Sequence, residues 1–355
     1  MNPRPNLIKN KGFVKRFRLT KLIFINIFVK QLTVAMNKLV LVLALLAIGA
    51  ISVVAVIEIS GRSVPRLKIA TTTSLYDTGL LDNIVDEYLT RLGTRLDFIA
   101  LGTGPALDQA RSGDVDAVLV HSPTLENLFL VDNSGGARKI IAYNFFAIVG
   151  PDEDPAGVEN LSAIAALQKI AEVKAEWVSR DDNSGTNTKE KSLWKSVGYS
   201  DVTLLYDENW FTATGQGMGA TLNVANEHRA YTIADTGTYL KYLRDNLINL
   251  RTFVDSGKDL LNVYSVMAAN PIDNRENVGF EGAIDFIEYL ISDDGQSFIG
   301  NFGVADYGAP LFNPAVQLLK ENAGSEIATW IRETAFFENS ECPPQYRLGQ
   351  DGLYQ

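Results

Sequence analysis

The sequence predicts an α/β fold of two lobes with a ligand cleft between them, preceded by one N-terminal membrane-crossing helix. Three observations lead there. Strand-like and helix-like segments alternate from residue 66 onward, as a sheet covered by helices requires. Four short Ser/Thr/Gly segments stand where a strand gives way to a helix or where a helix begins. An uncharged apolar run, residues 39–57, has a basic cluster on its N-terminal side.

The chain of 355 residues is long enough for two domains, and 46% apolar with 21% charged content is globular. Residues 1–38 carry nine Lys/Arg and no Asp/Glu, so a net charge of −10 leaves a strongly acidic body. That body disfavours nucleic acid as a partner. Residues 1–38 read as a basic cytoplasmic N-terminus and 39–59 as a single-pass anchor that leaves everything after it extracytoplasmic. A cleavable signal sequence is the competing reading, and no cysteine follows the run to carry a lipid. Translation from Met36, which opens a tidy signal-anchor by itself, competes with a real upstream extension. A lone cysteine, Cys342, excludes an intrachain disulfide, and two histidines far apart, His121 and His228, argue against a metal centre. His121 is expected at a strand end rather than in a site.

After a polar spacer, residues 67–70 read as a strand. Leu80, Leu81, Ile84, Val85, Tyr88 and Leu89 then recur with helical spacing, which leaves 71–78 as the turn. Residues 96–101 form the second strand, Gly102-Thr103-Gly104 the turn, and Pro105 opens a helix that stops near Gly113. Strands follow near 116–121, 139–149, 176–179, 230–233 and 263–268. Helices fall near 161–173, 188–197, 218–228, 236–246, 278–292 and 295–302. This order suggests parallel sheets. Residues 145–150 and 264–269, each followed by proline, read as crossings between a lobe of 66–145 with 270–340 and an inserted lobe of 146–269. Ile327, Trp330 and Ile331 suggest a last amphipathic helix, and 341–355 an irregular tail.

The four turns are Thr71-Thr72-Thr73-Ser74, Gly102-Thr103-Gly104, Ser179-Arg180 with Ser184-Gly185-Thr186, and Gly215-Gln216-Gly217-Met218-Gly219. Hydroxyls and backbone N–H groups at helix starts bind a small oxyanion with few cationic side chains. Glycine lets a backbone N–H reach the ion where no Cβ intervenes. Each turn alone is also an ordinary cap, for which these residues are expected. Arg180 is equally readable as a surface partner of Asp181 or Asp182. Asp77, Asp181 and Asp182 read as caps or orienting groups, since a carboxylate beside a dianion is repulsive.

The strings TTTSLYDTGLLD, LGTGPALDQARSGDVDAVLVHSP, YNFFAIVGP, SRDDNSGTNTKE, GQGMGATLNVANE and YTIADTGTYL, in this order, resemble the tungstate-binding proteins of tungstate ABC transporters. The likeness covers about residues 68–314. It implies a type II periplasmic-binding-protein fold that captures tungstate, with molybdate the nearest competitor, and hands it to a permease and an ATPase. No cofactor is implied, and a monomer is the simplest expectation. The ligand residues it implies are Thr72, Thr73, Ser74 and Thr103, with Arg180, Ser184, Gly185 and Thr186; Gly104 and Gly219 are added from the turns themselves. The chain departs from the family at Thr236, where arginine is usual, at Phe145, where aspartate is usual, and at Asn187, where histidine is usual.

Phosphate or sulfate capture is the rival within the binding class. A membrane-anchored sensor domain is a second class. A hydrolase using Ser184 or Ser74 is a third, and it lacks a nucleophile-elbow motif and a histidine close in sequence.

Overall fold

The computed structural model describes residues 64–199, 201, 208–271, 279–321 and 324–355, with residues 30, 31 and 36. The apolar run 39–57 lies outside the described residues. Among those described, no helix is long and apolar enough to cross a membrane.

The first half begins β1 (Arg66–Thr72), α1 (Thr73–Asp77), α2 (Leu80–Leu92), β2 (Arg95–Leu101), α3 (Thr103–Ser112), β3 (Ala117–Val120) and α4 (Pro123–Val131). A 16-residue strand, β4 (Gly135–Gly150), follows. Then come α5 (Ala163–Val173), β5 (Trp177–Ser179), α6 (Gly185–Val197), β6 (Phe211–Ala213), α7 (Met218–His228), β7 (Thr232–Asp235), α8 (Thr236–Arg244) and β8 (Arg251–Val254). The chain returns through β9 (Leu261–Ala269) and α9 (Phe280–Ile291), then α10 (Asp293–Asn301), α11 (Val304–Tyr307), β10 (Asn313–Pro314), α12 (Val316–Glu321) and α13 (Glu326–Ala335). Residues Pro65–Gln355 make one compact unit.

The main sheet has the order β10-β4-β9-β3-β1-β2, with β7 and β8 also on β4. Only part of it is parallel, which corrects the expectation of parallel sheets. β1 runs parallel to β2 and β3, and β5 to β6, whereas β9, β7, β8 and β10 are antiparallel to their neighbours. The cause is β4. Its first part, Gly135 to Phe145, pairs with β9, and its last residues, Phe146 to Gly150, pair with β7 and β8. A chain that leaves one half of the sheet along β4 and comes back along β9 must run the second strand against the first.

Two aromatic-rich cores result. One gathers Ile69, Leu81, Tyr88 and Phe286 around β1, and the other gathers Trp177, Trp194, Trp210 and Phe211 around β5. Trp194 makes edge contacts with both other tryptophans of its cluster, at 5.2 and 6.0 Å between ring centroids. α3 starts at Thr103, two residues before the expected Pro105, because Gly102 is extended at its cap and a proline in the first turn has no helix bond to lose. The predicted last amphipathic helix is α13, and Ile331 and Ala335 fill its buried face.

The last residues turn back onto β4. Arg138, fully buried, bonds Glu126 at 2.6 Å and the Ala335 carbonyl at 2.7 Å, Lys139 pairs with Glu341 at 2.6 Å, and Tyr354 donates to the Arg138 carbonyl at 2.9 Å.

Candidate oxyanion-binding site

The first turn leaves the end of β1. Thr71 is turned away from any ligand, since its hydroxyl donates to the Leu119 carbonyl at 2.9 Å and ties β1 to β3. Thr72 caps α1 by accepting from the Leu75 N–H at 3.3 Å, and the Ser74 hydroxyl lies 3.4 Å from it. Thr73 between them is half-buried.

The second turn abuts the third. A Cβ on Gly102 would stand 3.9 Å from the backbone carbonyls of Asp182 and Asn183. Thr103 is fully buried, and its hydroxyl has no hydrogen-bond partner among the described residues. A buried hydroxyl without a partner is costly, so it marks a place where a ligand acceptor is expected. Gly104 is half-buried with open space beside it.

Arg180 follows β5 and is 1% exposed, so it is no surface residue. Its partner is Asp182, which accepts from Nε at 3.1 Å and from Nη2, while Nη1 lies 3.4 Å from the Thr186 hydroxyl. Asp181 faces Lys191 instead, at 3.6 Å. Ser184 caps α6 by accepting from the Asn187 N–H at 3.2 Å, so Gly185 and Thr186 are the first two helical residues. Beneath them Glu190 accepts from Trp177 Nε1 at 2.8 Å and the Ser179 hydroxyl at 2.9 Å. Burial pushes its carboxyl up to about 7.

The fourth turn is tied to the third by Thr214, whose hydroxyl reaches the Arg180 carbonyl at 3.2 Å and the Thr221 hydroxyl at 3.1 Å. Gly219 serves another purpose than the one expected. It is buried in α7, and a Cβ there would stand 1.9 Å from the Tyr242 hydroxyl oxygen, so the glycine leaves room for the Tyr242 side chain of α8.

His121 is the residue that sequence reasoning missed. It follows β3, as expected, but it is buried with Nε2 3.3 Å from the Ser74 hydroxyl and Nδ1 2.8 Å from Asn262 Oδ1. The edge of its ring lies where a Cβ on Gly185 would be 2.9 Å away. The first and third turns thus meet on one imidazole. The available signal was its place at the carboxyl end of a strand, which is where ligands bind in open α/β sheets. Burial chiefly, and the nearby Arg180 charge, lower its pKa to about 4 against the Asn262 bond, so the ring is neutral at pH 7. The Ser74-His121-Asn262 series has the order of nucleophile, base and orienter. An imidazole of such low basicity is a poor general base.

Asp77 and Asp235 also surround Arg180. Burial raises both carboxyls, and the Arg180 charge works against that in each. Of the three positions read as departures from the family, two are joined by a hydrogen bond, since the Thr236 hydroxyl donates to the Phe145 backbone carbonyl at 3.1 Å. Asn187 is a buried strut, accepting from the Asn183 N–H at 3.2 Å and donating to Glu190 at 3.4 Å. Hydroxyls, helix-start N–H groups and one arginine make a surface that donates hydrogen bonds and suits an oxyanion.

Comparisons with known proteins agree with this chemistry. The PBP superfamily domain matches residues 58–294. The tungstate-binding protein TupA of Peptoclostridium acidaminophilum is 41% identical over 249 residues, covering 69% of this chain and 84% of that one. A putative ABC transporter anion-binding protein of Haloferax volcanii is 38% identical, covering 75% of this chain and 76% of its own. The solved structure of the tungstate-binding protein TupA from Desulfovibrio alaskensis G20 has 42% identity and a TM-score of 0.62, over 70% of this chain and 98% of that one. By this identity and coverage, the chain belongs to the PBP superfamily and, within it, to the family of tungstate-binding proteins.

Proposed function

We propose that this protein captures tungstate outside the cytoplasm and delivers it to the permease and ATPase of an ABC transporter. Residues 66–145 with 270–340 form one lobe and 146–269 the other, and the ion lies between them. Thr72, Thr73, Ser74 and Thr103 donate from the first lobe, and Arg180, Gly185 and Thr186 from the second. Molybdate, of the same shape and charge, is the nearest competing ligand. Residues 39–59 hold the protein at the membrane. The observation that supports this reading is that the first and third turns meet on the buried His121 while the second abuts the third beside the buried Arg180, in a chain 41% identical to a tungstate-binding protein.

Capture proceeds by closure, because donors from two lobes can surround one ion only when the lobes meet. Tungstate, fully deprotonated at neutral pH, needs donors alone, whereas hydrogen phosphate also needs an acceptor. Calorimetric titration of the full-length protein with tungstate, molybdate, sulfate and phosphate tests the reading. Tungstate binds most tightly and Arg180→Ala loses at least a hundredfold in affinity. Equal affinity for all four ions, or an unchanged Arg180→Ala variant, overturns it.

A further inference from the structure

Arg180 has five N–H donors, and the structure divides them unequally. Asp182 Oδ2 takes one from Nε, at 3.1 Å, and one from Nη2, while Asp182 Oδ1 accepts the Ser184 N–H at 3.1 Å. The loop is shaped for this. Asp181 and Asn183, on either side, both have left-handed backbones with φ of 44° and 56°, which fold the Asp182 carboxylate back onto the arginine. A left-handed non-glycine residue costs energy, and here two of them flank one carboxylate.

We propose that Asp182 is the positioning residue of the anion site, fixing which donors meet the ligand and thereby setting the preference among oxyanions. The inference rests on the capture reading above. With the Nε side of the guanidinium held, the edge carrying Nη1, one of whose hydrogens meets the Thr186 hydroxyl at 3.4 Å, and the second Nη2 hydrogen faces the ligand. The Ser184 N–H is withdrawn from the ligand, and the Asn187 N–H is withdrawn by the Ser184 hydroxyl. That leaves the N–H groups of Gly185 and Thr186, which the helix itself does not use. The donor set is thus a fixed guanidinium edge and two adjacent amides. Such a set selects an ion by its size and oxygen spacing, because the charge of Arg180 is largely offset by its partner.

The sign of one substitution tests this. Removing a negative charge beside an anion site strengthens the binding of every anion by Coulomb's law. A positioning role predicts the reverse. In calorimetry on the full-length protein, Asp182→Asn binds sodium tungstate at least tenfold more weakly and shows a several-fold smaller preference for tungstate over sulfate. In an Arg180→Lys background, where no fork remains to be held, the same substitution changes tungstate affinity by less than about threefold, as a double-mutant cycle requires. Asp182→Asn that binds tungstate as tightly as wild type or more tightly overturns the proposal. So does a loss shared in equal proportion by tungstate and sulfate. If Asp182→Asn loses its cooperative melt, Asp182→Glu decides instead, since it keeps the charge and displaces the carboxylate. Reduced preference supports the role and unchanged preference overturns it. Wild-type protein that binds no oxyanion sinks the capture reading together with this one, whereas a binding wild type with an equally binding variant sinks this one alone.

Discussion

Nε2 of His121 stands 3.3 Å from the Ser74 hydroxyl oxygen, and the far side of the same ring is fixed by Asn262. Asn262 spends its amide hydrogens on Asn144 Oδ1 at 3.0 Å and the Tyr264 hydroxyl at 2.8 Å, which turns its Oδ1 to His121 Nδ1. Nδ1 therefore carries the ring proton and Nε2 accepts from Ser74. Ser74 has one hydroxyl proton, so a bound oxyanion, His121 and the Thr72 hydroxyl 3.4 Å away compete for it. Asn144 and Asn262 are partners across β4 and β9, next to Phe145 and Leu261, where that pairing ends. One hydrogen-bonded chain thus connects the first turn to the two strands that join the proposed lobes.

The pH dependence of stability follows from two buried groups that oppose each other. His121, lowered to about 4, contributes stability that is full above pH 6.5 and is lost as the pH falls towards 4. Glu190, raised to about 7, contributes stability that is full below pH 4.5 and is lost as the pH rises towards 7. Each amounts to roughly 3 kcal/mol across its window. Urea denaturation of His121→Gln between pH 4 and 7 is expected to fall more steeply with rising pH than wild type. Glu190→Gln is expected to fall more steeply with falling pH. Parallel curves for the variants and wild type would refute the assignment.

Gly185 is required for a steric reason that does not involve its backbone freedom. An added Cβ meets His121 Cε1 at 2.9 Å and Nδ1 at 3.1 Å, and the ring cannot retreat because it stacks on Tyr264 at 4.9 Å and is bonded to Asn262. Gly185→Ala is expected to destabilise the protein by about 1–3 kcal/mol and to weaken tungstate binding at least tenfold. Adding His121→Ala makes room and recovers part of the stability. Calorimetry and thermal melting of the single and double variants read both effects.

Much of this was legible in the sequence, for identifiable reasons. β1, β2 and β3 were readable because strand and helix periods switch sharply at Thr71 and Gly102, although the short α1 lies within the stretch expected as a turn and α4 after β3 was not expected. β6, β8 and β10 were not readable, being short and, unlike the equally short β3, β5 and β7, largely not buried apolar runs. The direction of β9 was also hidden, since a buried apolar strand looks the same whichever way its neighbour runs. In the site, Arg180 and the Ser184 to Thr186 turn were visible as residue types at a helix start. The partnership of Arg180 with Asp182 rather than Asp181 depends on two left-handed residues, and sequence does not show these. His121 was passed over because its partners, Ser74 and Asn262, are 47 and 141 residues away.

Thr103 separates ligand binding from stability. Its buried hydroxyl lacks a partner among the described residues, so replacing it by valine removes an unsatisfied polar group of the same shape. Without ligand, Thr103→Val is expected to be as stable as wild type or more so. With tungstate it is expected to lose about 1.5–3 kcal/mol of binding, the range for a hydrogen bond to a charged group, or roughly ten- to a hundredfold in Kd. A variant that is destabilised without ligand and binds unchanged would show that the hydroxyl serves the fold instead.

The mouth of the proposed cleft is bridged by α8. Lys241 Nζ donates to the Asp77 carbonyl at 3.1 Å, and Arg244 pairs with Asp306 at 3.2 Å while lying 4.9 Å from the centre of the Tyr307 ring. Both cations come from one proposed lobe, three residues apart on one helix face, and reach these partners on the other, while Arg244 Nε also pairs with Asp245 beside it at 3.1 Å. Arg244 and Asp306 are largely exposed, so solvent screens their attraction and each contact is weak. Together they bias closure without enforcing it, which a protein that must release its ion requires. The double variant Lys241→Ala/Arg244→Ala is expected to release tungstate about three- to tenfold faster in stopped-flow measurements, with little change in thermal stability. Raising salt from 50 to 500 mM is expected to speed release from wild type and to leave the double variant nearly unaffected, because screening removes what the substitutions have already removed. Equal salt dependence in the two proteins would place the electrostatic control of release elsewhere, at Arg180 and its neighbours.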